Sequence, residues 1–232
     1  GLSTSDPLPE RKVSNGKEIR IRLIGYGIRG KMLAKGIGFA HPTMVDEMIK
    51  GAQRNKNDNM YKVFLAQDGL NIRITAVCDI FDTYGKMAQE TGANINREGI
   101  GGKMGELAKR YHSYKELIAS PDVDAVVIAT PDHWHSLMTI QAIRAGKDVY
   151  VEKPLTNTLV EGRKMVDAWK ASDRVVAVGL NRRGNIVFQK LAKEIPAGKI
   201  GKVSVARAAR IRNMSPDGIG KLRPEQPPKD FN

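Results

Sequence analysis

Three glycines near the start of the chain have the spacing of a phosphate-binding loop. Gly25, Gly27 and Gly30 form the pattern G-x-G-x-x-G in "LIGYGIRG", between an apolar run and a helix-like stretch. Glycines permit a tight turn and let the backbone at Ile28 and Arg29 approach a pyrophosphate at the start of a helix. A plain strand-to-helix turn is the alternative. The position between a strand and a helix favours a dinucleotide-binding loop.

An acidic residue follows the next apolar run. Asp79 ends "IRITAVCD" and comes 49 residues after the last glycine of the motif, against about 20 in the usual unit. A carboxylate there can accept hydrogen bonds from an adenosine ribose, although a turn or a helix cap is the alternative. No Lys or Arg stands at Ile80 or Phe81, and Asp82 adds a second negative charge. A 2′-phosphate would be repelled, so we predict NAD rather than NADP.

A lysine follows another short apolar run. Lys153 lies between Glu152 and Pro154 in "GKDVYVEKPLT" and could be a solvated loop charge or a proton donor held over a substrate. In a parallel sheet it emerges at the same edge as the glycines and Asp79. Its cation could orient a substrate hydroxyl, and burial would ease transfer of its proton. We expect Glu152 to hold the turn, and an X-Pro bond there tolerates the cis isomer at low cost.

The stretch "ATPDHWH" follows the strand-like run "VDAVVI". We expect Thr130 and Pro131 to lie along the cofactor, with Trp134 or His135 closing over it; either aromatic side chain could equally pack at a helix start. The pattern D-H-x-H also suggests a metal site. However, Pro131 ends the strand and we expect a helix to open at His135, so the two histidines lose a common face. We therefore predict no metal.

Alternating short elements must position these residues. Five candidate strands are "EIRIRLIG", "IRITAVCD", "VDAVVIAT", "KDVYVEK" and "RVVAVGL", and five candidate helices are "IRGKMLAKGI", "TYGKMAQET", "SYKELIAS", "HSLMTIQAIRAG" and "LVEGRKMVDAWKAS". This alternation predicts an α/β fold with a doubly wound parallel sheet, that is, a Rossmann fold. Arg20 and Arg22 interrupt the first strand, and we expect them near its entry with their charged heads in water.

The chain divides into three predicted parts. Residues 1–16 form an N-terminal arm, 17–180 the dinucleotide-binding domain, and 181–232 the start of a second α/β domain. That last part has a helix, then "VSVARAARIRN" as one more strand and a Pro- and Gly-containing tail, too little to bury a core. Two segments, 41–71 and 92–110, look like insertions, the first of them with a short helix at "TMVDEMIKG". We expect mobile surface excursions or substrate-side loops there.

Composition narrows the class of partner. The chain is 41% hydrophobic and 27% charged, and it has no apolar run near the roughly 20 residues that a membrane span needs. The single Cys78 excludes an internal disulfide and a Cys cluster for zinc. Much of the net charge of +13 lies in 181–232, with twelve Lys/Arg against four Asp/Glu. No interleaved aromatics or nucleic-acid module accompany it. We predict neither a nucleic-acid nor a membrane partner, and a cytoplasmic location, with export after removal of an upstream signal as the alternative.

Five motifs in order resemble one family. "LIGYGIRG", "AVCD", "VVIATPDHWH", "GKDVYVEKPLT" and "VGLNRRGN" resemble the Gfo/Idh/MocA (glucose-fructose oxidoreductase/inositol dehydrogenase) family, over about residues 17–202. The Glu-Lys-Pro tripeptide is the most specific mark. The resemblance implies an N-terminal Rossmann domain that binds NAD or NADP and a C-terminal α/β domain with a large, mostly antiparallel sheet, often used for oligomerisation. We therefore expect a homo-oligomer at full length.

The resemblance also implies a reaction. Lys153 would be catalytic beside the nicotinamide, in hydride transfer to or from a hydroxyl-bearing carbon of a sugar, cyclitol or derivative. Arg182 and Arg183 are candidates for substrate binding; a helix start or an interdomain salt bridge is the alternative. The family's later histidine has no match, because all four histidines precede Lys153. An NAD-using glycosidase or lyase of the same superfamily and a non-enzymatic NAD-binding protein are the rival functions.

Overall fold

The computed structural model of the protein describes residues 18–67, 69–93, 106–121 and 123–209. They fall into two compact units that divide between Val178 and Gly179. The strands are β1 (Ile19–Ile24), β2 (Ile72–Cys78), β3 (Lys109–Tyr111), β4 (Ala125–Ile128), β5 (Asp148–Glu152) and β6 (Val176–Gly179). The helices are α1 (Ile28–Gly36), α2 (Pro42–Arg54), α3 (Met60–Leu65), α4 (Asp82–Gly92), α5 (Tyr114–Ala119), α6 (Asp132–Arg144), α7 (Leu159–Lys170) and, after a 3-10 turn (Asn181–Gly184), α8 (Ile186–Glu194).

The strands form one sheet in the order β3-β2-β1-β4-β5-β6. β1 pairs in parallel with both β2 and β4, β2 pairs in parallel with β3, and β4 with β5. From β1 the chain therefore moves outward to β3, then returns to the other side of β1 and moves outward again. This is the doubly wound order, with its switch point between β1 and β4. The predicted α/β Rossmann fold is confirmed.

Neighbouring residues of each central strand pack on opposite faces. Leu23 and Val77 belong to one apolar cluster, with Ala34 of α1 and Ala88 of α4. The next residues along the strands, Ile24 and Cys78, belong to a second cluster that includes side chains of α5 and α6. Because the strands are covered on both faces, their sequences are nearly continuous apolar runs. This is why the sequence reveals these strands so clearly.

Four strands end level with one another. Ile24 of β1 pairs with Cys78 of β2 and with Ile128 of β4, and Ile128 pairs with Val151 of β5. Since the strands are parallel, the residues that follow them emerge along a single edge of the sheet.

The two arginines of β1 have different surroundings. Arg20 is half-buried and pairs with Asp124 at 3.1 Å. Arg22 is only 3% exposed, and it donates to the Leu117 carbonyl and the Ser120 hydroxyl, each at 2.9 Å. The expectation that both heads reach water is wrong for Arg22. Carbonyl groups in the last turn of a helix lack partners within that helix, so the end of α5 supplies the acceptor that makes this burial possible.

The segment 41–71 is largely a packed helical pair. α2 and α3 bury a cluster of their own, formed by Ala40, Val45, Met48 and Phe64. His41 caps α2 by accepting from the Thr43 N–H, and its other ring nitrogen lies 2.6 Å from Glu90 of α4. The short helix expected at "TMVDEMIKG" is α2, and part of the remainder of the segment, expected as loop, is the helix α3 packed against it. Much of the second segment, residues 94–105, lies outside the described residues, and its end forms β3, a strand that the sequence did not predict.

The predicted strand at 203–213 is not formed over 203–209, and 210–213 lie outside the described residues. A strand needs a neighbour to satisfy its backbone N–H and C=O groups, and the described residues supply none there. In the described part of the chain, no helix is long and apolar enough to cross a bilayer.

Cys78 gives a simple test of the packing at the end of β2. Its side chain is 5% exposed, and burial, followed by the nearby Asp79 carboxylate, raises the pKa of the thiol to about 11. We expect no reaction with a thiol reagent at about pH 8, where an ordinary cysteine reacts readily. Concentrated guanidinium chloride should release the single thiol of the chain. Rapid labelling of the folded protein would contradict this packing.

Candidate functional site

The three glycines of the motif have different structural roles. Gly25 has φ +87°, and a Cβ placed on it would lie 2.7 Å from the Ala129 carbonyl oxygen of the neighbouring loop. A Cβ on Gly30 would overlap the Gly25 carbonyl oxygen. A Cβ on Gly27 would meet nothing within 4 Å. The first and third glycines therefore allow the chain to pack, and the second leaves open space.

This open space lies at the start of α1. Gly27 is the N-cap residue, and the first turn of α1 contains no acidic side chain. The first N–H groups of a helix have no partner within it and favour an anion. Space and donors together fit the pyrophosphate of a dinucleotide, with the backbone of Ile28 and Arg29 at the helix start.

Asp79 lies against the glycine loop. Its Oδ2 accepts from the Tyr26 N–H at 2.7 Å, and its Oδ1 accepts from the Phe81 N–H at 2.8 Å. The carboxylate thus links the loop to the start of α4. A carboxylate oxygen can accept more than one hydrogen bond, so Asp79 retains the capacity to accept from a ribose hydroxyl. Asp79 therefore lies at the predicted edge of the sheet, next to the glycine loop.

Contrary to what the sequence suggested, Asp82 does not add an uncompensated negative charge beside Asp79. Asp82 forms an ion pair with Arg110, whose guanidinium also donates to the Asp79 carbonyl at 3.3 Å. The negative charge of Asp82 is therefore compensated, and the charge that would repel a 2′-phosphate is that of Asp79. Sequence reasoning missed Arg110, because it reaches this position from β3 at the edge of the sheet.

Glu152 is a buried carboxylate at the end of β5. It is 3% exposed, and its Oε1 lies 2.8 Å from the Nε atom of Arg29. The Tyr150 hydroxyl donates to the same oxygen at 3.2 Å, and the Lys153 N–H donates to Oε2 at 3.3 Å. Burial, followed by the Glu152 charge, raises the pKa of Tyr150, which keeps this donor protonated. The side chains of Arg29 and Glu152, both predicted cofactor contacts, thus pair with each other and hold the turn.

Lys153 follows β5 at the edge shared with the glycine loop. Its side chain is exposed, and no ion pair or hydrogen bond of its amine is found among the described residues. The burial expected to ease proton transfer is therefore not present in this part of the protein. The Lys153–Pro154 peptide bond is cis.

His135 has a different setting from the one predicted. α6 begins at Asp132, with Pro131 as its N-cap, so His135 lies in the first turn and is only 1% exposed. Its Nδ1 is 2.6 Å from the Pro154 carbonyl oxygen, and its Nε2 is 2.9 Å from that of Thr130. A ring buried between two carbonyl groups cannot close over a cofactor, so the alternative of packing at a helix start holds for His135. We therefore revise its role, and Trp134, which is 39% exposed, is the aromatic residue that remains available.

These contacts join the predicted residues of the first unit into one continuous network along the sheet edge. In order around it are Gly30, Gly25, the Ala129–Thr130 loop, His135, Pro154, Lys153, Glu152 and Arg29. Asp79 joins through the Tyr26 N–H. Arg182 and Arg183 lie in the 3-10 turn of the second unit. Among the described residues, no three His, Cys, Asp or Glu side chains are grouped as a metal site would require.

Comparisons with known proteins agree with this arrangement. The family described as "Oxidoreductase family, NAD-binding Rossmann fold" (Gfo/Idh/MocA) matches residues 106–180. The chain is 34% identical over 125 residues to a myo-inositol 2-dehydrogenase of Thermotoga maritima, covering 54% of this chain and 34% of that protein. It is 33% identical over 157 residues to a "Glycosyl hydrolase family 109 protein 2" of a Shewanella species, covering 68% and 27%.

A solved structure has the same architecture. The crystal structure of a probable dehydrogenase from Thermotoga maritima matches with a TM-score of 0.53 and 27% identity, over 79% of this chain and 42% of that one. The chain therefore spans about a third of the length of the curated relatives and less than half of the solved one. Residues 106–180, which include the Glu-Lys-Pro turn, match the Gfo/Idh/MocA family of NAD-binding oxidoreductases, and the Rossmann sheet and the glycine loop agree with that match.

Proposed function

We propose that the protein is an NAD-dependent oxidoreductase that moves a hydride between the nicotinamide and a hydroxyl-bearing carbon of a sugar, a cyclitol or a related compound. The observation that carries this proposal is the convergence at the sheet edge. Four parallel strands end level, and the residues after them supply an open glycine cradle, a ribose acceptor and an exposed amine. These are the parts that a dinucleotide-dependent reaction on an alcohol needs at one place.

NAD, when bound, supplies the acceptor for the hydride. The residues of this chain bind the cofactor and orient the substrate. The backbone at the start of α1 binds the pyrophosphate, and the carboxylate of Asp79 accepts from the adenosine ribose. The Lys153 Nζ atom orients the substrate hydroxyl by hydrogen bonding to its oxygen. As ammonium it stabilises negative charge that develops on that oxygen, and as amine it takes the hydroxyl proton.

The substrate class rests on the relatives. A myo-inositol 2-dehydrogenase acts on a cyclitol by its name, and two-thirds of this chain matches a glycosyl hydrolase. Both names point to a polyhydroxylated ring. Arg182 and Arg183 of the second unit are candidates to bind an acidic or phosphorylated form of such a ring, because guanidinium groups bind carboxylates and phosphates in a bidentate manner.

Glycoside cleavage is the second candidate function, favoured by the glycosyl hydrolase match over 157 residues. The two functions differ in whether NADH accumulates. The natural full-length protein should be incubated with NAD and either myo-inositol and related polyols or aryl glycosides, while NADH absorbance and sugar release are followed. Net NADH formation supports the dehydrogenase, and sugar release without it supports the glycosidase. Absence of affinity for both NAD and NADP would overturn both.

The broader organisation is also a proposal. We infer a dinucleotide-binding domain over 17–180 and a second domain that starts at 181, and a homo-oligomer at full length. The cytoplasmic location, or export after removal of an upstream signal, stays a prediction. Chromatography with light scattering and cell fractionation would check the oligomer and the location.

The preference for NAD should depend on Asp79. We expect Asp79→Asn to lower the ratio of NAD affinity to NADP affinity by about 10-fold or more, because the repulsion between the carboxylate and a 2′-phosphate is removed. The amide oxygen keeps only one of the two backbone hydrogen bonds that Asp79 accepts, so a thermal unfolding scan must show that the variant is folded. Calorimetric titration with both cofactors measures the ratio. Asp46→Asn, an exposed residue of α2, is the control, and an equal shift there would contradict the assignment.

A further inference from the structure

The imidazole of His135 bridges two loops of the sheet edge. Its Nε2 faces the Thr130 carbonyl of the loop after β4, and its Nδ1 faces the Pro154 carbonyl of the turn after β5. Carbonyl oxygens only accept, so a hydrogen bond to either one needs a proton on the ring nitrogen that faces it. A neutral ring donates to one of the two carbonyls and an imidazolium donates to both. An imidazolium therefore connects the two loops directly, and a neutral ring that donates to Pro154 ties the turn to α6, which begins two residues after Thr130.

α6 gives this bridge a fixed base. His135 lies in the first turn of a helix of 13 residues, and later turns of that helix bury Met138, Ala142 and Ile143. These three side chains belong to the apolar cluster on one face of the sheet. The ring itself is 1% exposed. Because the helix is packed against the sheet, the ring cannot follow a displaced turn, and the turn must adapt to the ring.

The turn at Lys153 and Pro154 makes few other contacts with the protein. Lys153 and Pro154 are exposed, so packing does little to hold them. The backbone of Lys153 is tied through its N–H to Glu152, at 3.3 Å, and the carbonyl of Pro154 is tied to His135, at 2.6 Å. The backbone on the two sides of the lysine side chain is therefore held by two buried polar groups, Glu152 and His135.

We propose that His135 is a positioning residue that fixes the turn carrying Lys153 relative to the Thr130 loop, and so places the Lys153 amine at the nicotinamide. This inference rests on the proposed function, because it assigns His135 a part in the reaction of Lys153. His135 itself does not touch substrate or cofactor. Its neighbour His133 is exposed on the same helix and has no such part, which makes it a matched control.

The test uses His135→Gln and His133→Gln in the natural full-length protein. The amide nitrogen of glutamine can donate to one of the two carbonyls, but it cannot replace two ring nitrogens that face the carbonyls of Thr130 and Pro154 from different sides. We expect His135→Gln to keep its affinity for NAD and to lose kcat by about 10- to 100-fold, since small displacements of a reacting group are costly. We also expect NADH to protect Lys153 from an amine-reactive reagent in the parent, by peptide mass spectrometry, and to protect it much less in the variant. His133→Gln should match the parent in all three measurements.

Several results would overturn the proposal and leave the proposed function standing. These are a folded His135→Gln with the kcat and the NADH protection of the parent, or a variant that loses NAD affinity in parallel with activity. A failure of the function itself looks different, because Lys153→Met would then turn over as fast as the parent. If His135→Gln does not fold, the unmodified protein still decides. Its ¹⁵N-labelled His135 ring should show an N–H proton that exchanges slowly with solvent, and fast exchange would refute the bridge.

Discussion

Lys153→Met is expected to lower kcat by about 10²- to 10⁴-fold, the range associated with loss of a positioned acid or base. Methionine is unbranched and only one atom shorter than lysine, but it has no proton to give and no charge to place beside an oxygen. The Lys153 backbone N–H still donates to Glu152, so the turn should persist. Affinity for NAD should remain close to that of the parent, because the contacts that we propose for the pyrophosphate and the ribose lie on α1 and Asp79.

The measurement separates binding from chemistry. Calorimetry gives the dissociation constant for NAD, and steady-state rates with the substrate identified for the full-length protein give kcat and KM. Lys164→Met removes an exposed amine from α7 and should leave both unchanged. A Lys153→Met protein that turns over like the parent would remove the amine from the mechanism and would favour a non-enzymatic NAD-binding role.

Gly27→Val is expected to lower the affinity for NAD by at least about 100-fold, while the protein stays folded. The loss corresponds to a few charge-assisted hydrogen bonds between backbone N–H groups and a phosphate. Apart from its neighbours in the chain, a Cβ at Gly27 meets no atom within 4 Å, so the added side chain enters the space that we propose for the pyrophosphate. Its φ of −66° is accessible to valine. Thermal unfolding should therefore shift only modestly.

Two other glycines of α1 complete this experiment. Gly30→Ala places a methyl group on the backbone carbonyl of Gly25, so we expect lower thermal stability together with weaker NAD binding. A Cβ on Gly36 at the end of the same helix also meets nothing within 4 Å, and Gly36→Ala should match the parent in both measurements. Retained NAD affinity in Gly27→Val would show that the dinucleotide does not bind at this loop.

The parts of the site that the sequence predicts are those set by local signals. Buried parallel strands are short apolar runs, so the ends of β1, β2, β4 and β5 can be found by inspection. The residues just after those ends are then placed on one edge by the geometry of parallel strands alone. For this reason Gly25, Asp79 and Lys153 could be assigned to the same region without a structure.

The remaining parts depend on tertiary partners that no short stretch of sequence contains. β3 is a three-residue edge strand that exists through its pairing with β2, and Arg110 reaches Asp82 only because of that pairing. His135 packs at the start of α6, the alternative that the sequence left open, because the helix begins three residues before the predicted point. The polar middle of segment 41–71 gave no sign of α3, and the buried positions Val45 and Met48 of α2 meet their partner Phe64 only in the folded chain.

The helical pair α2 and α3 lies, in sequence, between two residues that are in contact, Tyr26 and Asp79. After α1 the chain leaves the sheet and forms the apolar cluster of α2 and α3. It returns to the sheet at Ile72, where β2 pairs with β1. The Tyr26 N–H then reaches Asp79 at 2.7 Å across 53 positions of sequence. Residue counts between these two positions are thus free to vary among related chains, provided that each excursion begins and ends at the same two points of the sheet.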